Sequence, residues 1–297
     1  MKTSRRNFIK TSVLVGGGLT VSESLFARVV RSAKSTPEIG ICTGIGNYAL
    51  ARKAGYAFME EGVRGFLVPS EPESVFFPIL EKAKRSPVPV TACNSFLPGN
   101  MKSVGPDQAT GEILRFAEVA FKRAKSSGVK IIVFGSGGSR SIPEGFSKEE
   151  ATRQFVELCK QMGPIASKYK VIVVIEPLNT KECNFINSVA EGGEIVKAVN
   201  HRNIRLLADL YHMKMDGEGP DNIIKYGKLL RHVHIAEKEG RTAPGTHNED
   251  FRPYLEALKK VNYQGMISIE CRWKNMESQA PIAIETIKDQ INILKTK

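Results

Sequence analysis

The chain has 297 residues and a formal net charge of +12, with 43 Lys and Arg against 31 Asp and Glu. Residues 1–34 account for half of that charge, because they contain seven Lys or Arg and a single acid, Glu23. The remaining residues have no dense basic run with interleaved aromatic residues, so the composition does not predict nucleic-acid binding.

The first residues have the pattern of an export signal. Residues 4–10 read SRRNFIK, and a weakly apolar, glycine-containing segment follows at residues 11–20. We predict a twin-arginine signal and linker over residues 1–36 and a periplasmic location. The apolar segment is too short for a membrane span, so we expect no integral span in the mature protein, with an uncleaved anchor as the alternative.

The cysteines show no pairing pattern. They are odd in number and lack C-x-x-C spacing, at Cys42, Cys93, Cys159, Cys183 and Cys271. We therefore interpret them as small buried apolar residues rather than as a disulfide framework or a zinc site.

Strand-like and helix-like segments alternate after the signal, which predicts a parallel sheet built of βα units. The expected strands are residues 38–42, 57–60, 88–93, 130–134, 171–175, 205–208, 232–235 and 266–269, and the clearest helices are 108–127, 148–168, 189–199, 251–261 and 281–294. Eight units in about 260 residues predict an α/β fold, a single (β/α)8 TIM barrel over residues 37–297. An open doubly wound sheet is the alternative, but Gly44-Ile45-Gly46 lacks the rest of a dinucleotide-binding fingerprint.

The run of branched apolar residues at 171–175 ends abruptly in Glu176 and Pro177. A short run without alternation is typical of a strand that is buried on both faces. In α/β barrels the carboxyl ends of the strands build the functional site. We therefore expect Glu176 to face a metal ion or a substrate.

Polar residues also stand at the ends of other expected strands. The second strand ends in Glu60. Each of the last four strands has one potential metal ligand at or just after its carboxyl end: Glu176, Asp209, His234 and Glu270. Carboxylates gathered in one pocket repel one another unless a cation lies among them. Three carboxylates and one imidazole suit one divalent metal ion, for which Mn²⁺ is favoured over Mg²⁺, Co²⁺ or Zn²⁺. We expect Glu60 to face the substrate.

Four segments carry a family resemblance: IEPLN from residue 175, ADLYHM from 208, HVHI from 232 and IE at 269. They resemble the xylose isomerase-like TIM barrels, in particular the branch with ketose 3-epimerases and hydroxypyruvate isomerase. The resemblance implies that the four ligands named above bind a divalent metal and that Glu176 and Glu270 are the catalytic acid and base. It also implies that Glu182, His212 and Arg241 contact the substrate. Asn179, just beyond Glu176, is expected to face the substrate as well.

A metal that chelates a sugar carbonyl and the neighbouring hydroxyl makes the adjacent C–H acidic, so a carboxylate can remove that proton. Return of the proton gives epimerisation or isomerisation, whereas loss of a β-leaving group gives elimination, and the reverse is hydration. An exported enzyme meets free or glycosidically linked sugars. We therefore expect elimination or hydration on a 3-keto-glucoside or a 2-hydroxy-3-keto-glucal, with an isomerase or C3-epimerase of free ketoses as the alternative.

Two other classes of protein are compatible with such a barrel. A non-catalytic periplasmic sugar-binding protein would keep the pocket, but it would not need two catalytic carboxylates. An endonuclease for abasic DNA would need a trinuclear zinc centre and more than the five histidines present. We expect a small sugar or an oxidised glycoside as the partner and no nucleic acid, and the sequence leaves open whether the chain forms a homo-oligomer.

Overall fold

The computed structural model describes residues 36–294. Residues 1–35 of the predicted signal and linker lie outside this range. Eight parallel strands close into a barrel in chain order, because the first strand pairs with both the second and the eighth. They are β1 (Glu38–Cys42), β2 (Phe58–Gly62), β3 (Val90–Asn94), β4 (Ile131–Phe134), β5 (Ile172–Ile175), β6 (Ile204–Asp209), β7 (Leu230–Ile235) and β8 (Met266–Ile269). The predicted (β/α)8 barrel is confirmed.

Eleven α-helices lie within residues 36–294. They are α1 (Tyr48–Ala54), α2 (Val63–Phe66), α3 (Glu73–Arg85), α4 (Thr110–Ser127), α5 (Gly137–Arg140), α6 (Lys148–Tyr169), α7 (Val189–Val199), α8 (Leu210–Met215), α9 (Asp221–Tyr226), α10 (Arg252–Lys260) and α11 (Met276–Ile293). Helix α11 begins five residues before the predicted start, because the Asn275 side chain caps it by accepting a hydrogen bond from the Ser278 backbone N–H at 3.1 Å. In this part of the chain, no helix is both long and apolar enough to cross a bilayer.

The sheet separates a large outer apolar cluster from a small inner one. The inner cluster lies inside the barrel and consists of Ala92, Ile131, Val133, Val174 and Leu207. The alternate residues of β4 and β5, such as Ile132 and Val173, belong to the outer cluster between the strands and the helices. Both faces of these strands are therefore buried, as the apolar run at 171–175 predicts.

Buried polar side chains occupy another part of the barrel interior, next to the Phe58 ring. Glu60 of β2, His232 and His234 of β7 and Ser268 of β8 are all buried. Strands β2 and β7 are separated by β8 and β1, so the hydrogen-bond contact between Glu60 and His232 crosses the interior. The two histidines share this face because alternate residues of a strand point the same way.

Strand β2 runs past its predicted end, and this changes the position of Glu60. The strand continues to Gly62, which is in register with Asn94 of β3. Glu60 therefore lies inside the strand and not at its end. The sequence FMEEG has no turn residue before its glycine, which explains why pairing continues through both glutamates.

All five cysteines are free thiols, and three of them, Cys93, Cys159 and Cys183, are buried. Burial raises the pKa of the Cys93 and Cys159 thiols, which keeps them in the neutral form. The interpretation as small buried residues is confirmed for these three buried cysteines, whereas Cys42 and Cys271 are only partly buried. Cys42 also offers a ligand atom within 4.8 Å of ligand atoms of Glu60 and His234.

Candidate active site

The four predicted metal ligands meet at the carboxyl ends of β5 to β8. One ligand atom from each of Glu176, Asp209, His234 and Glu270 lies within 4.8 Å of the other three. His234 Nδ1 is 2.9 Å from Glu176 Oε1, 3.0 Å from Glu270 Oε2 and 3.9 Å from Asp209 Oδ2. Three carboxylates and one imidazole nitrogen at this spacing form a donor set of the kind that divalent cations use.

Glu176 follows β5 directly, and Gly135 makes room for its carboxylate. A Cβ atom at position 135 would lie 2.0 Å from Glu176 Oε2. Gly135 is the first residue after β4, the strand that pairs with β5. A side chain at this position would therefore push Glu176 out of the cluster. The glycine is needed for space, and not for an unusual backbone conformation.

Asp209 is the last residue of β6, and its two carboxylate oxygens have different partners. Oδ1 accepts hydrogen bonds from the backbone N–H groups of Tyr211 at 2.8 Å and His212 at 3.3 Å, so Asp209 caps helix α8. Oδ2 faces the cluster, 3.3 Å from a guanidinium nitrogen of Arg241. The cap fixes the orientation of the carboxylate, and Oδ2 remains available to the site.

Glu270 follows β8 and is held from three sides. Asn94 Nδ2 donates to Oε1 at 2.7 Å, while Oε2 contacts His234 and the Arg241 guanidinium. Burial alone would raise the pKa of Glu270, but His234 and Arg241 outweigh burial and hold this pKa well below its ordinary value. The carboxylate is therefore ionised, which both a metal ligand and a general base require.

Arg241 reaches the cluster from the loop after β7. Its guanidinium contacts Glu270 and Asp209, lies 3.9 Å from Glu182 and stacks over the Tyr211 ring at 4.7 Å from the centroid. Its backbone has a φ of 54°, a left-handed conformation that is uncommon for a residue other than glycine. Burial alone would lower the pKa of Arg241, but the surrounding carboxylates raise it. Arg241 therefore brings a permanent positive charge to the site.

The loop that carries Arg241 is organised around Glu237, a fully buried carboxylate. Its oxygens accept hydrogen bonds from the backbone N–H groups of Gly245 at 2.8 Å and His247 at 2.7 Å, and from Thr242 Oγ1 at 3.2 Å. One side chain thus ties together both halves of the loop. This explains how an exposed segment can hold Arg241 in a strained conformation.

Asn179, Glu182 and His212 form a hydrogen-bonded group beside the cluster. The Asn179 backbone N–H donates to His212 Nδ1 at 3.2 Å, and the Asn179 amide nitrogen lies 2.7 Å from Nδ1 and 3.0 Å from Glu182 Oε1. Since a backbone N–H can only donate, His212 Nδ1 is an acceptor and the ring proton is on Nε2. Nε2 lies 3.4 Å from Asp209 Oδ2, so His212 presents an N–H group to the site.

Glu60 lies on the far side of His234 from the other carboxylates. His234 Nε2 is 3.0 Å from Glu60 Oε1, whereas the opposite ring nitrogen, Nδ1, faces the ligand cluster. Glu60 is 1% exposed, and this burial favours a structural role behind the imidazole over the substrate contact that we expect from the sequence. The other predicted substrate residues lie beside the cluster.

Sequence reasoning did not assign roles to four residues of the site: Gly135, Asn94, His232 and Ser268. A signal was present for two of them. His232 precedes His234 by two positions and Ser268 precedes Glu270 by two, and residues two apart share one face of a strand. Gly135 and Asn94 act on residues of other strands, so only the folded arrangement reveals their contacts.

A closed parallel barrel with a carboxylate and imidazole cluster at the carboxyl ends of its strands defines the class of α/β-barrel proteins with a polar site at that end of the barrel. The chain belongs to the xylose isomerase-like TIM barrel family, whose model matches residues 48–297. This agrees with the resemblance that the strand-end segments carry.

Among curated proteins, the chain is 28% identical over 166 residues to L-ribulose 3-epimerase from Methylomonas sp. strain DH-1, covering 49% of this chain and 58% of that protein. It is 30% identical over 109 residues to 3-dehydro-D-guloside 4-epimerase from Escherichia coli K12, covering 36% and 41% respectively. The chain thus spans about half the length of the curated relatives it matches.

Among solved structures, the chain resembles D-psicose 3-epimerase with D-tagatose from Clostridium cellulolyticum H10. The TM-score is 0.76 at 19% identity, and the match covers 86% of this chain and 99% of that one. Because the identity is low, this likeness concerns the fold. The names of these relatives describe epimerases.

Proposed function

We propose that this protein is a divalent-metal-dependent enzyme that moves a proton at the carbon next to the carbonyl of a keto-sugar. The observation that carries the proposal is the position of Glu176 and Glu270, two carboxylates within hydrogen-bond distance of the same His234 nitrogen. Two carboxylates at the mouth of a barrel can serve as the base that removes a proton and the acid that returns one.

The donor set fits a divalent cation held by Glu176, Asp209, His234 and Glu270. Manganese is our first choice because carboxylate-rich sites with one imidazole suit hard and intermediate cations, with Mg²⁺, Co²⁺ and Zn²⁺ as alternatives. When bound, the cation would polarise the sugar carbonyl and offset the negative charge that develops on it. The polar groups nearby would then determine which sugar fits.

Around this cluster, the chain supplies both hydrogen-bond donors and acceptors for sugar hydroxyls. The donors are the Arg241 guanidinium and the Nε2–H group of His212, and the acceptor is the Glu182 carboxylate, which is partly exposed. Asn179 is largely buried and links Glu182 to His212. We propose that these four residues orient the sugar, with Asn179 acting mainly through its two neighbours.

Epimerisation or isomerisation is the outcome that the relatives favour. The two curated relatives are named as a 3-epimerase and a 4-epimerase, and the second acts on an oxidised glycoside according to its name. In such a reaction Glu176 and Glu270 exchange protons with the sugar, and no leaving group departs. The proposed substrate is a ketose or a keto-glycoside of that kind.

Elimination or hydration is a second candidate, favoured by the SRRNFIK motif at residues 4–10. An exported enzyme would meet glycosides, and in a 3-keto-glucoside the proton at C2 is next to the carbonyl while the C1 substituent is in the β position. The same carboxylate could remove the C2 proton, and the C1 oxygen would leave with the bonding electrons. Water addition to the resulting 2-hydroxy-3-keto-glucal would be the reverse type of step.

Proton exchange in D2O tests both candidates. The Mn²⁺-loaded protein is incubated with D-psicose, L-ribulose and a 3-keto-glucoside, and deuterium incorporation and products are followed by NMR. Epimerisation or isomerisation predicts deuterium in an intact sugar, whereas elimination predicts release of the aglycone. Glu270→Gln and protein treated with EDTA are the controls that should lose both signals. Absence of exchange and of products with every sugar would contradict the proposed function.

Export can be tested separately. We propose that the twin arginines direct the folded protein to the periplasm by the twin-arginine route. Replacement of Arg5 and Arg6 by Lys should retain the protein in the cytoplasm, as measured by cell fractionation, while the wild-type chain is recovered from the periplasm or its membrane. Equal distribution of the two forms would contradict this proposal.

A further inference from the structure

Glu60 is the centre of a buried polar group that the proposed proton transfer does not use. His234 Nε2 lies 3.0 Å from Glu60 Oε1, and Glu60 Oε2 lies 2.7 Å from His232 Nε2 and 2.6 Å from Ser268 Oγ. Glu60, His232, His234 and Ser268 are each no more than 1% exposed. Among the described residues, no Lys or Arg side chain lies within ion-pair distance of Glu60.

The hydrogen-bond roles within this group follow from its geometry. A carboxylate accepts and does not donate, so Glu60 requires N–H groups on the ring nitrogens that face it and an O–H group from Ser268. His232 Nδ1 is buried and has no hydrogen-bond partner. An unpaired acceptor is tolerated better than an unpaired N–H, so the His232 proton belongs on Nε2, facing Glu60.

The same logic fixes the ring of His234. Both ring nitrogens face carboxylates, so each carries a proton: Nε2–H donates to Glu60 at 3.0 Å, and Nδ1–H donates to Glu176 Oε1 at 2.9 Å. A metal ion can bind Nδ1 only in place of the Nδ1 proton, and a carboxylate that keeps the proton on Nε2 selects that tautomer and holds the ring orientation.

We propose that Glu60 is a positioning residue that presents His234 Nδ1 to the metal, and that Ser268 and His232 hold Glu60 in place for this role. The inference rests on the proposed metal-dependent function. It assigns Glu60 to the metal centre and removes it from the substrate contacts. The apolar cluster on the other side of the barrel cannot supply such an acceptor.

Metal affinity tests this role without a substrate. Glu60→Gln keeps the size of the side chain, but one end becomes an NH2 donor that faces either His234 or the pair of His232 and Ser268. We expect Mn²⁺ binding, measured by calorimetry, to weaken about 10- to 100-fold. Glu61→Gln is the matched control. It lies one position further along β2, where its carboxylate accepts the Ile45 backbone N–H, and its Mn²⁺ affinity should remain within twofold of the wild type.

A second variant and a spectroscopic measurement separate positioning from folding. Ser268→Ala removes one donor to Glu60 without touching His234, and it should weaken Mn²⁺ binding in the same direction by a smaller factor. In Zn²⁺-loaded protein labelled with ¹⁵N-histidine, wild type should show an exchange-protected His234 Nε2–H that Glu60→Gln loses. Unfolding temperatures in EDTA verify that each variant is folded.

The results distinguish this inference from the proposed function. If wild type binds Mn²⁺ and both Glu60→Gln and Ser268→Ala bind it equally well, the positioning role is wrong while the metal site stands. If Glu60→Gln does not fold, an unchanged affinity in Ser268→Ala overturns the role by itself. If wild type binds neither Mn²⁺ nor Zn²⁺, both the proposed metal site and this inference are contradicted.

Discussion

Gly135 and Glu176 are in such close contact that a single added carbon at position 135 would lie 2.0 Å from Glu176 Oε2. The contact is between residues that directly follow two neighbouring strands, because β4 and β5 are paired along their whole length. Glu176 therefore keeps its position in the ligand cluster only while residue 135 has no side chain.

Substitution of Gly135 should impair the site more than the fold. In Gly135→Ala the Glu176 carboxylate must move by more than 1 Å, and a displacement of this size typically costs about 100-fold in rate. We expect a loss of that order in kcat/KM for proton exchange, together with weaker Mn²⁺ binding. Gly219→Ala is the control, because a Cβ there meets no atom within 4 Å. Normal exchange by Gly135→Ala would contradict this steric account.

Asn94 should support Glu270 during proton transfer. Its amide nitrogen donates to Glu270 Oε1 at 2.7 Å, and loss of a hydrogen bond to a charged group costs about 1.5–3 kcal/mol. We expect Asn94→Ala to lower kcat by roughly 10-fold or more, with a smaller effect on KM, in steady-state assays of the sugar that shows exchange. Asn222→Ala, which loses a contact to Glu218 away from the cluster, should keep the wild-type kcat.

Arg241 should be needed for its shape as well as its charge. One guanidinium reaches both Glu270 and Asp209 and stacks on Tyr211, a combination that an ammonium group cannot reproduce. We expect Arg241→Ala to lower kcat/KM about 10- to 100-fold. Arg241→Lys should restore only a small part of the lost kcat/KM. The exposed Arg252, paired with Asp250, provides the control. Full activity of Arg241→Lys would show that charge alone is sufficient.

Metal binding should stabilise the folded barrel. A ligand that binds only the folded state contributes about 2.7 kcal/mol at 100 times its Kd, which corresponds to roughly 5–10 °C in the Tm of a domain of this size. Calorimetric scans of EDTA-treated protein with and without Mn²⁺ should show this increase. The increase should vanish in His234→Ala, because this variant loses the nitrogen that faces all three carboxylates.

The fold was predictable because its strands are short apolar runs with clear ends. The bounds of β1, β8 and α7 coincide with the prediction, and the run at 171–175 is buried as expected. The grouping of the four candidate ligands could be predicted by one rule, that strand ends of a barrel face the same pocket. The predicted ligand set therefore depended on the barrel having been recognised first.

The same rule predicted that Glu60 stands at the end of its strand and faces the substrate. In the structure β2 continues two residues beyond Glu60. A register shift between Met59 and Glu60 in the pairing with β3 accompanies this extension, and local sequence does not specify such a shift. Contacts between strands, such as Gly135 with Glu176 and Asn94 with Glu270, depend on distances in the folded chain. No spacing in the sequence encodes them.

The inner apolar cluster on β3 to β6 has a practical consequence for redesign. Its members, from Ala92 to Leu207, contact one another inside the barrel and include none of the groups assigned to metal or sugar. Volume-conserving exchanges of such residues usually cost little stability. A protein engineer could therefore repack this side of the barrel at little cost in stability, and vary the loops after β5, β6 and β7 as an independent library.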